Sequence, residues 1–309
     1  AVALAVLALA QGTTMLVAGY ALAGLAMAGC LYDPAFAELH RISGAAYRKA
    51  VTALTLFGGF ASTVFWPLSQ VLLDGVGWRM TFGIYAALHL AICLPLHLVA
   101  LPRGRIPVRH AAATTEAAPL APTYRSAVFA WLAVALSLAA FLSSALSAHV
   151  IGLLVSSGLT ARDAVLVSSL IGVMQVVGRV LEFTVGRGLR PLTVGTLAFA
   201  LLASALLLLT QVRGVWIAAL AFAVLYGWSN GVMTIVRGTV PGELFGHRGF
   251  GALLGRLAQP QFITKAIAPL AVTLVFAVDP ERTITLYALA AGGLAALTAY
   301  QLALRARAL

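Results

Sequence analysis

The chain has 309 residues, of which 61% are hydrophobic and 9% charged, and its mean hydropathy is +0.99. A soluble globular domain carries about 25% charged residues, so the composition excludes such a domain. The formal net charge of +11 would fit a nucleic-acid-binding protein, but the placement of the basic residues, described below, favours another explanation.

Long apolar runs, separated by short charged joints, follow one another along the chain; residues 1–32 and 126–161, for example, contain no formal charge. A helix rises about 1.5 Å per residue, so about 20 apolar residues cross a hydrocarbon core of about 30 Å. Shorter alternating segments would indicate a β-barrel. The pattern instead predicts an all-α polytopic membrane protein with about ten transmembrane helices, at residues 1–10, 14–36, 50–73, 80–101, 126–149, 163–185, 191–212, 215–238, 252–277 and 283–304.

The joints place basic residues unevenly on the two sides of such a bundle. Because basic loops remain cytoplasmic, we expect the 102–125 loop and the C-terminus to face the cytoplasm, in a plasma membrane or bacterial inner membrane. The surplus charge then indicates orientation and contact with anionic lipid headgroups, and no nucleic acid is expected as a partner. The richer side holds Arg41, Arg48, Lys49, Arg103, Arg105, Arg109, Arg125, Arg187, Arg190, Arg248, Arg305 and Arg307, and the other side holds Arg79, Arg162, Arg213 and Arg282.

Residues 102–125 form the longest polar stretch and are rich in Ala, Thr, Pro and Arg, which is typical of a linker. Four predicted helices precede this cytoplasmic linker and six follow it. The order Glu-Leu, His-Arg, Gly-Ala occurs in residues 38–45 and again, six helices later, in residues 243–252. Such an offset predicts two six-helix halves related by an axis along the membrane normal; the alternative is coincidence. We therefore expect residues 1–101 to form an incomplete N-terminal half, equivalent to helices three to six of twelve, and residues 126–309 to form a C-terminal six-helix half.

Three short motifs carry a resemblance to a known family. Gly77-Trp78-Arg79 precedes a predicted helix, Gly24 to Gly29 is rich in small residues, and Gly178-Arg179-Val180-Leu181-Glu182 is followed by Gly186-Arg187. These motifs resemble the junction after the fifth helix, the fourth helix, and the loop between helices eight and nine of the major facilitator superfamily of secondary transporters. The resemblance covers essentially the whole chain.

The resemblance implies a helical bundle of this superfamily that moves a small solute by alternating access, as a monomer in the lipid bilayer, without a cofactor and without enzymatic activity. Coupling to a proton stays open, because Tyr20 stands where the family's fourth helix often carries Arg, and residues 66–70 lack its antiporter motif. The alternatives are an exporter of lipophilic, drug-like compounds and a non-transporting membrane component, such as a permease subunit or a sensor.

Ionisable side chains inside the spans cost about 2.5–3.5 kcal/mol each on insertion scales, so each one requires an explanation. Gln175, Arg179 and Glu182 fall at i, i+4 and i+7 of one helix and therefore share a face. Arg179 and Glu182 are predicted to form an ion pair, which either belongs to a gating network or locks one end of the bundle, and Gln175 is a candidate for substrate binding. Asp33, beside Pro34, is either a gating residue or a helix-end residue in the headgroup zone.

Lys265 is the main candidate for substrate binding. It lies mid-helix in the predicted ninth span, one turn after Gln261, and Pro260 predicts a local break just before it. Broken helices with polar side chains commonly line transporter cavities; the alternative is a lysine that snorkels to the interface. A carboxylate-bearing substrate would neutralise the ammonium, since a buried charge is unfavourable. The substrate hypothesis is therefore a small organic anion.

Three further residues are candidates by their position. Asn230 and His149 lie on helices that, by the resemblance, line the central cavity, and Asn230 offers both a donor and an acceptor. Ser143 and Ser144 share a helix with His149, but serines in such helices are more often packing residues. Trp66 is either a cavity aromatic or membrane-core filler. The sequence shows no metal-binding, nucleotide-binding or catalytic motif, so neither a metal nor a cofactor is expected.

Overall fold

The computed structural model describes residues 1–100, 126–246 and 249–308. The predicted linker lies outside the described residues, and so do His247 and Arg248 of the second repeat segment. Every regular element in the described ranges is a helix, which confirms the all-α class. The side chains outside the description within these ranges are those of Ala45, Phe60, Ser62, Thr63, Trp66, Pro67, Ala100, Arg187 and Ala308.

The α-helices of the described ranges are α1 (Val2–Ala8), α2 (Thr13–Cys30), α3 (Tyr32–Ser43), α4 (Tyr47–Leu88), α5 (Leu94–Ala100), α6 (Ala127–Ser156), α7 (Ala161–Thr184), α8 (Pro191–Leu209), α9 (Trp216–Phe245), α10 (Phe250–Phe276) and α11 (Thr283–Ala308). A π-helical turn, His89–Cys93, joins α4 to α5.

Seven helical stretches in the described part of the chain are long and apolar enough to cross a membrane, fewer than the ten predicted from the sequence. Helix α1 has only seven residues, and α10 is not among the seven stretches. The polytopic membrane class is nevertheless confirmed. The seven stretches are Thr13–Ser43, Leu68–Val99, Ala127–Ser156, Ala161–Thr184, Pro191–Leu209, Trp216–Phe245 and Thr283–Arg307.

The helix predicted at residues 14–36 is interrupted in the structure. Its first part, α2, ends at Cys30, and α3 begins after Leu31, whose extended backbone has φ −88° and ψ −159°. Pro34 explains the break, because it has no N–H to donate to the carbonyl of Cys30 and its ring clashes with that carbonyl.

The next two predicted spans, 50–73 and 80–101, are joined almost without interruption. Helix α4 includes the joint between them, and its only non-helical backbone is at Gly77, with φ 76° and ψ 167°. Glycine adopts such a positive φ without the penalty that a Cβ would bring. The glycine of the Gly-Trp-Arg motif therefore marks the change of direction between two spans.

The chain divides by its internal contacts into two compact units. Unit 1 comprises Ala1–Gly44 and Phe57–Thr114, and unit 2 comprises Ala45–Leu56 and Thr115–Leu309. Helix α4 therefore contributes its first residues to unit 2 and the rest to unit 1.

In unit 1, Arg79 of the Gly-Trp-Arg motif ties α4 to the segment after α1. Its guanidinium donates hydrogen bonds of 3.0 and 3.1 Å to the carbonyl of Ala10, and it lies 4.2 Å from the ring centre of Trp78. Ala10 lies beyond the end of α1, so its carbonyl is outside the hydrogen-bond ladder of that helix. Arg79 supplies a donor for this carbonyl and thus has a structural role.

In unit 2, α9 packs closely against α7 and α8, while α6 packs against α10 and α11, and α11 packs against α8. Glycines bring α7 and α9 together, because a Cβ at Gly227 would meet the carbonyl of Ile171 and a Cβ at Gly231 would collide with the backbone of Gln175. Small residues allow such close approach of helices in a membrane. The α7–α9 contact is therefore made largely by backbone.

The two ends of unit 2 are called the Glu182 end and the Arg213 end, after one residue at each. At the Glu182 end, the end of α7 lies beside the start of α4, and the start of α6 meets the end of α9 through Phe129 and Phe245. At the Arg213 end, the turns after α6 and α8 meet, with Gly158 against Gly214.

Helix α11 begins at the Arg213 end with a side-chain cap. The buried carboxylate of Asp279 accepts hydrogen bonds from the backbone N–H and the hydroxyl of Thr285, at 2.9 and 3.1 Å. Burial alone would raise the pKa of Asp279, but these bonds, together with those from the N–H groups of Ile284 and Thr283, outweigh it and lower the pKa. The folded protein therefore favours the ionised carboxylate, as expected at a helix N-terminus.

Candidate functional site

Two adjacent serines of α6, Ser143 and Ser144, connect three helices of unit 2. The hydroxyl of Ser143 donates to Oδ1 of Asn230 on α9 at 3.3 Å, and buried Tyr226 lies one turn before Asn230 on the same helix. The hydroxyl of Ser144 donates to the backbone carbonyl of Lys265 on α10 at 2.8 Å. These five residues form the polar cluster of unit 2.

The hydrogen bond from Ser144 to α10 compensates for a backbone N–H that a proline removes. A helical carbonyl normally accepts from the N–H four residues later, and for Lys265 that residue is Pro269, which has no N–H. The hydroxyl of Ser144 replaces the missing donor. This hydrogen bond thus holds α10 against α6.

The prolines do not interrupt α10. The helix runs from Phe250 to Phe276 through both Pro260 and Pro269, so the local break predicted at Pro260 is wrong. Near it, the hydroxyl of Thr264 bonds to two carbonyls, those of Gln261 at 3.0 Å and of Ser137 on α6 at 3.1 Å. Contacts with α6 therefore stabilise α10 where prolines weaken its own hydrogen-bond ladder.

Lys265 and Gln261 lie one turn apart on α10 but differ in burial. Lys265 is half-buried, whereas Gln261 is only 2% exposed. The amide Nε2 of Gln261 donates to the carbonyl of Leu257 at 2.7 Å, so the side chain folds back along its own helix. Its Oε1 has no hydrogen-bond partner among the described residues. An acceptor is therefore buried one turn from the Lys265 side chain.

His149 lies further toward the Arg213 end of α6. Its Nε2 is 3.0 Å from the carbonyl of Pro269, which also accepts a bond of 2.9 Å from the hydroxyl of Thr273. The imidazole ring meets Phe276 edge-on, with 5.1 Å between the ring centres. Half-buried His149 is therefore a third contact between α6 and α10.

Three other predicted site residues lie on α7, α3 and α4. Gln175 is half-buried on α7, and its backbone packs against Gly231, the neighbour of Asn230. Asp33 lies in the first turn of α3 in unit 1, where a carboxylate favours the helix N-terminus. Trp66 lies on α4, and its side chain is outside the described residues. Gln175 therefore adjoins the polar cluster of unit 2.

Glu182 is the centre of a second cluster, at the end of α7, and its side chain is only 3% exposed. Arg48 donates to Oε1 of Glu182 through Nη2 at 2.8 Å and Nε at 3.3 Å, and the hydroxyl of Thr52 donates to Oε2 at 3.1 Å. Arg48 also donates to the carbonyls of Gly186 and Leu189. Both oxygens of this buried carboxylate are thus satisfied.

The partner of Glu182 differs from the predicted one. The sequence predicted Arg179, on the same helix, whereas the ion pair in the structure joins Glu182 to Arg48 at the start of α4. Arg179 is itself buried, at 7% exposure, one turn before Glu182. Helical periodicity identifies neighbours on one helix, so a partner 134 residues away gave no signal.

Two further contacts lie at the Glu182 end. The hydroxyl of Tyr47 donates to the carbonyl of Gly238 on α9 at 2.7 Å. Nε of Arg190 lies 3.6 Å from Oε1 of Glu243, but the Arg190 side chain is 77% exposed. A long contact that involves such an exposed guanidinium contributes little to stability, so the Arg48–Glu182 pair is the stronger of the two ionic contacts.

A comparison with protein-family models decides the family. The model of the Major Facilitator Superfamily matches residues 1–259. The chain belongs to the Major Facilitator Superfamily. Members of this superfamily are integral membrane transporters, which confirms the resemblance and transport as the general activity. A search of curated proteins finds no match.

In this superfamily member, the described residues contain no group of three His, Cys, Asp or Glu side chains that could hold a metal ion. The polar cluster of unit 2 contains hydroxyl and amide groups instead, and Lys265 joins it through its backbone carbonyl. Groups of these kinds can bind small polar solutes through hydrogen bonds. Ser143 and Ser144, interpreted from the sequence as packing residues, turn out to connect the cluster. Their adjacency was visible in the sequence, but the partners of their hydroxyls depend on which helices pack together.

Proposed function

We propose that this superfamily member is a secondary active transporter that moves a small organic anion by alternating access. The observation that supports the anion is the position of Lys265. It is half-buried on α10, at the level where Ser144 holds the backbone of that helix. A cationic side chain at membrane depth requires a functional or structural reason, and an anionic substrate supplies one.

The neighbours of Lys265 suit a carboxylate substrate with further polar groups. Ser143 orients Asn230 through its Oδ1, so the amide N–H groups of Asn230 can donate to a substrate oxygen. One turn before Lys265, Oε1 of Gln261 can accept from a substrate hydroxyl or ammonium when a conformational change uncovers it. The ammonium of Lys265 would provide most of the affinity, because hydrogen bonds to charged groups are about twice as strong as neutral ones.

The Arg48–Glu182 pair is part of the same proposal. Alternating access requires that one end of the bundle opens while the other is closed. A buried ion pair at the Glu182 end, with Thr52 as a second partner of the carboxylate, stabilises the conformation in which that end is closed. We therefore expect this pair to set the balance between conformations, with a smaller effect on substrate affinity.

The test is uptake by proteoliposomes that contain the purified protein. A panel of radiolabelled small mono- and dicarboxylates and a panel of neutral and cationic lipophilic compounds are measured with and without a pH gradient. We expect uptake of a carboxylate, and we expect Lys265→Gln to reduce it about tenfold or more, since a charge-assisted hydrogen bond is worth about 1.5–3 kcal/mol. Lys265→Arg keeps the charge and should retain part of the activity.

The matched control is Lys49→Gln, because Lys49 is an exposed lysine outside the polar cluster. It should transport as well as the parent protein. Full carboxylate uptake by Lys265→Gln would contradict the anion proposal. Uptake restricted to the lipophilic panel would indicate an exporter of such compounds, and a protein inactive on both panels would favour the non-transporting alternative.

A further inference from the structure

A cavity of about 390 Å³ opens at the Arg213 end of unit 2. It lies where the turns after α6, α8 and α10 meet, and none of its lining residues belongs to the polar cluster. Its volume falls within the range of about 300–1,000 Å³ that is usual for small-molecule sites. The lining residues that matter here are Ser156, Ser157, Arg213, Glu281, Thr283 and Tyr287.

Two opposite charges line this cavity. Arg213 and Glu281 are exposed, and neither forms an ion pair within 4 Å with any residue that the structure describes. The adjacent Arg282 differs, because its guanidinium lies 4.5 Å from the ring centre of Phe276. One guanidinium and one carboxylate are thus free to bind a ligand on the walls of the same cavity.

The hydroxyl groups of the cavity differ in whether they can donate a hydrogen bond to a ligand or only accept one. Ser156 and Ser157 both donate their protons to the carbonyl of Leu153, at 2.9 and 2.8 Å. Their oxygens can therefore only accept a hydrogen bond from a ligand. The hydroxyls of Thr283 and Tyr287 make no hydrogen bond to another described residue and can donate. The cavity thus offers hydrogen-bond acceptors and donors in addition to its carboxylate and its guanidinium.

The backbone at this site is strained. Arg213 has φ 37° and is followed by Gly214 with φ 77°, and Gly158 in the facing turn has φ 98°. A Cβ on Gly158 would lie 3.2 Å from the backbone of Gly214, so the two turns are in close contact. A positive φ is uncommon for a residue with a Cβ, and strained residues of this kind concentrate at ligand sites. The fold therefore holds Arg213 in an unfavourable conformation at the cavity wall.

We propose that this cavity binds a small zwitterion that carries a primary ammonium and an acidic group. The ammonium donates to Glu281 and to the oxygens of Ser156 and Ser157, and the acidic group accepts from Arg213 and from the hydroxyl of Tyr287. A quaternary ammonium has no N–H to donate and binds less well. This chemistry has two sources, a free zwitterion in the aqueous phase or the ethanolamine headgroup of a phospholipid at the membrane surface.

The test uses O-phosphoethanolamine as the probe and the thermal unfolding of the purified protein in detergent as the readout. The probe should raise the unfolding temperature of the parent protein progressively, with the logarithm of its concentration once the site is saturated, as expected for a ligand that binds the folded state. Ethanolamine, propyl phosphate and phosphocholine each lack one part of the recognised chemistry and should have a smaller effect. This readout needs no transport substrate, so its failure would leave the proposal on Lys265 untouched.

Three variants locate the binding site. Arg213→Gln and Glu281→Gln should each weaken the apparent affinity for the probe about tenfold or more, because each loses a charge-assisted hydrogen bond. Arg213→Gly removes the same guanidinium and relieves the positive-φ strain, so it should fold at least as stably as the parent and still lose the response. Arg162→Gln is the matched control, since Arg162 is an exposed arginine next to the α6–α7 turn that does not line the cavity.

Nanodiscs distinguish the two sources of the zwitterion. If the occupant is a lipid headgroup, phosphatidylethanolamine discs should stabilise the parent but not Arg213→Gly, and added probe should have no further effect. If the occupant is a free zwitterion, the probe should stabilise the parent equally in phosphatidylethanolamine and phosphatidylglycerol discs. The proposal is overturned if the probe has no effect in detergent, if ethanolamine or propyl phosphate alone acts as strongly, or if the variants respond as the parent does.

Discussion

Arg48 binds Glu182 across 134 residues of sequence, with 2.8 Å between Arg48 Nη2 and Glu182 Oε1. The Glu182 side chain is 3% exposed and that of Arg48 is 28% exposed, so the carboxylate is much the more buried partner. Removal of Arg48 would leave this carboxylate with only the hydroxyl of Thr52 as a described partner that donates to its oxygens. The stability of the Glu182 end therefore depends on a residue from a distant part of the chain.

We expect Arg48→Gln to lower the free energy of unfolding by roughly 3 kcal/mol, the lower end of the 3–5 kcal/mol range for breaking a buried pair, because Arg48 keeps some contact with water. Arg190→Gln is the control and should cost less than about 1 kcal/mol, since the Arg190 side chain is 77% exposed and its contact with Glu243 is long, at 3.6 Å. Reversible unfolding in detergent measures both. The double variant Arg48→Gln/Glu182→Gln should lose less stability than the sum of the losses in the two single variants. Strict additivity would show that the residues do not interact.

Ser144→Ala should destabilise the protein by about 1–3 kcal/mol, because it removes the hydrogen bond that Ser144 donates to the Lys265 carbonyl. The control is Ser147→Ala, on the exposed side of the same helix, which should change stability by less than about 0.5 kcal/mol. Pro269→Ala restores an N–H four residues after Lys265, so Ser144→Ala should cost much less in that background. An equal cost with and without Pro269 would contradict our account of the bond.

Gly231→Ala should lower stability by about 1–3 kcal/mol, because its Cβ would collide with the backbone of Gln175, which cannot move aside as a side chain can. The control lies on the other helix of the same pair. A Cβ at Gly172 of α7 would meet nothing within 4 Å, so Gly172→Ala should be neutral or stabilise by up to about 1 kcal/mol. If the two substitutions had the same effect on the unfolding temperature, close packing of α7 and α9 would not be the reason for Gly231.

Asp279 should make stability depend on pH. Burial would raise the pKa of Asp279, but the hydrogen bonds from Thr285, Ile284 and Thr283 lower it below its ordinary value. The unfolded state therefore binds the proton more readily, so the contribution is complete above the unfolded-state pKa of about 3.9 and is lost as the pH falls through the lower folded-state pKa. Unfolding temperatures between pH 7 and pH 3 should fall less steeply for Asp279→Asn than for the parent. Asp74→Asn, at an exposed aspartate, should show the slope of the parent.

The uneven distribution of basic residues predicts the orientation of the spans. In a variant with Cys30 and Cys93 replaced, single cysteines at Gly104 and at Gln211 should react with a membrane-impermeant maleimide from opposite faces of inverted and right-side-out vesicles. Gly104 should be labelled from the cytoplasmic face, because basic joints stay on that side. Labelling of both positions from one face would rule out the predicted topology.

Hydropathy was sufficient to predict the membrane class and most helices, because burying apolar side chains in lipid is a property of each segment by itself. The sequence also contained the signal for the break in the second span, because Pro34 cannot donate to a helical carbonyl. The partners of Glu182 and of the Lys265 carbonyl could not be found in the same way. Both depend on which faces of distant helices meet, and Ser144 is informative only once α6 is known to pack against α10.

The bond between Ser144 and α10 also bears on how this protein is assembled during synthesis. Helix α10 carries two prolines and is not among the seven described stretches apolar enough to cross a membrane alone. The carbonyl of Lys265 on α10 accepts a hydrogen bond from Ser144 on α6, and α6 is synthesised first because it lies earlier in the chain. We therefore expect α10 to insert beside α6, so that a defect at Ser144 would affect the protein during synthesis as well as after folding.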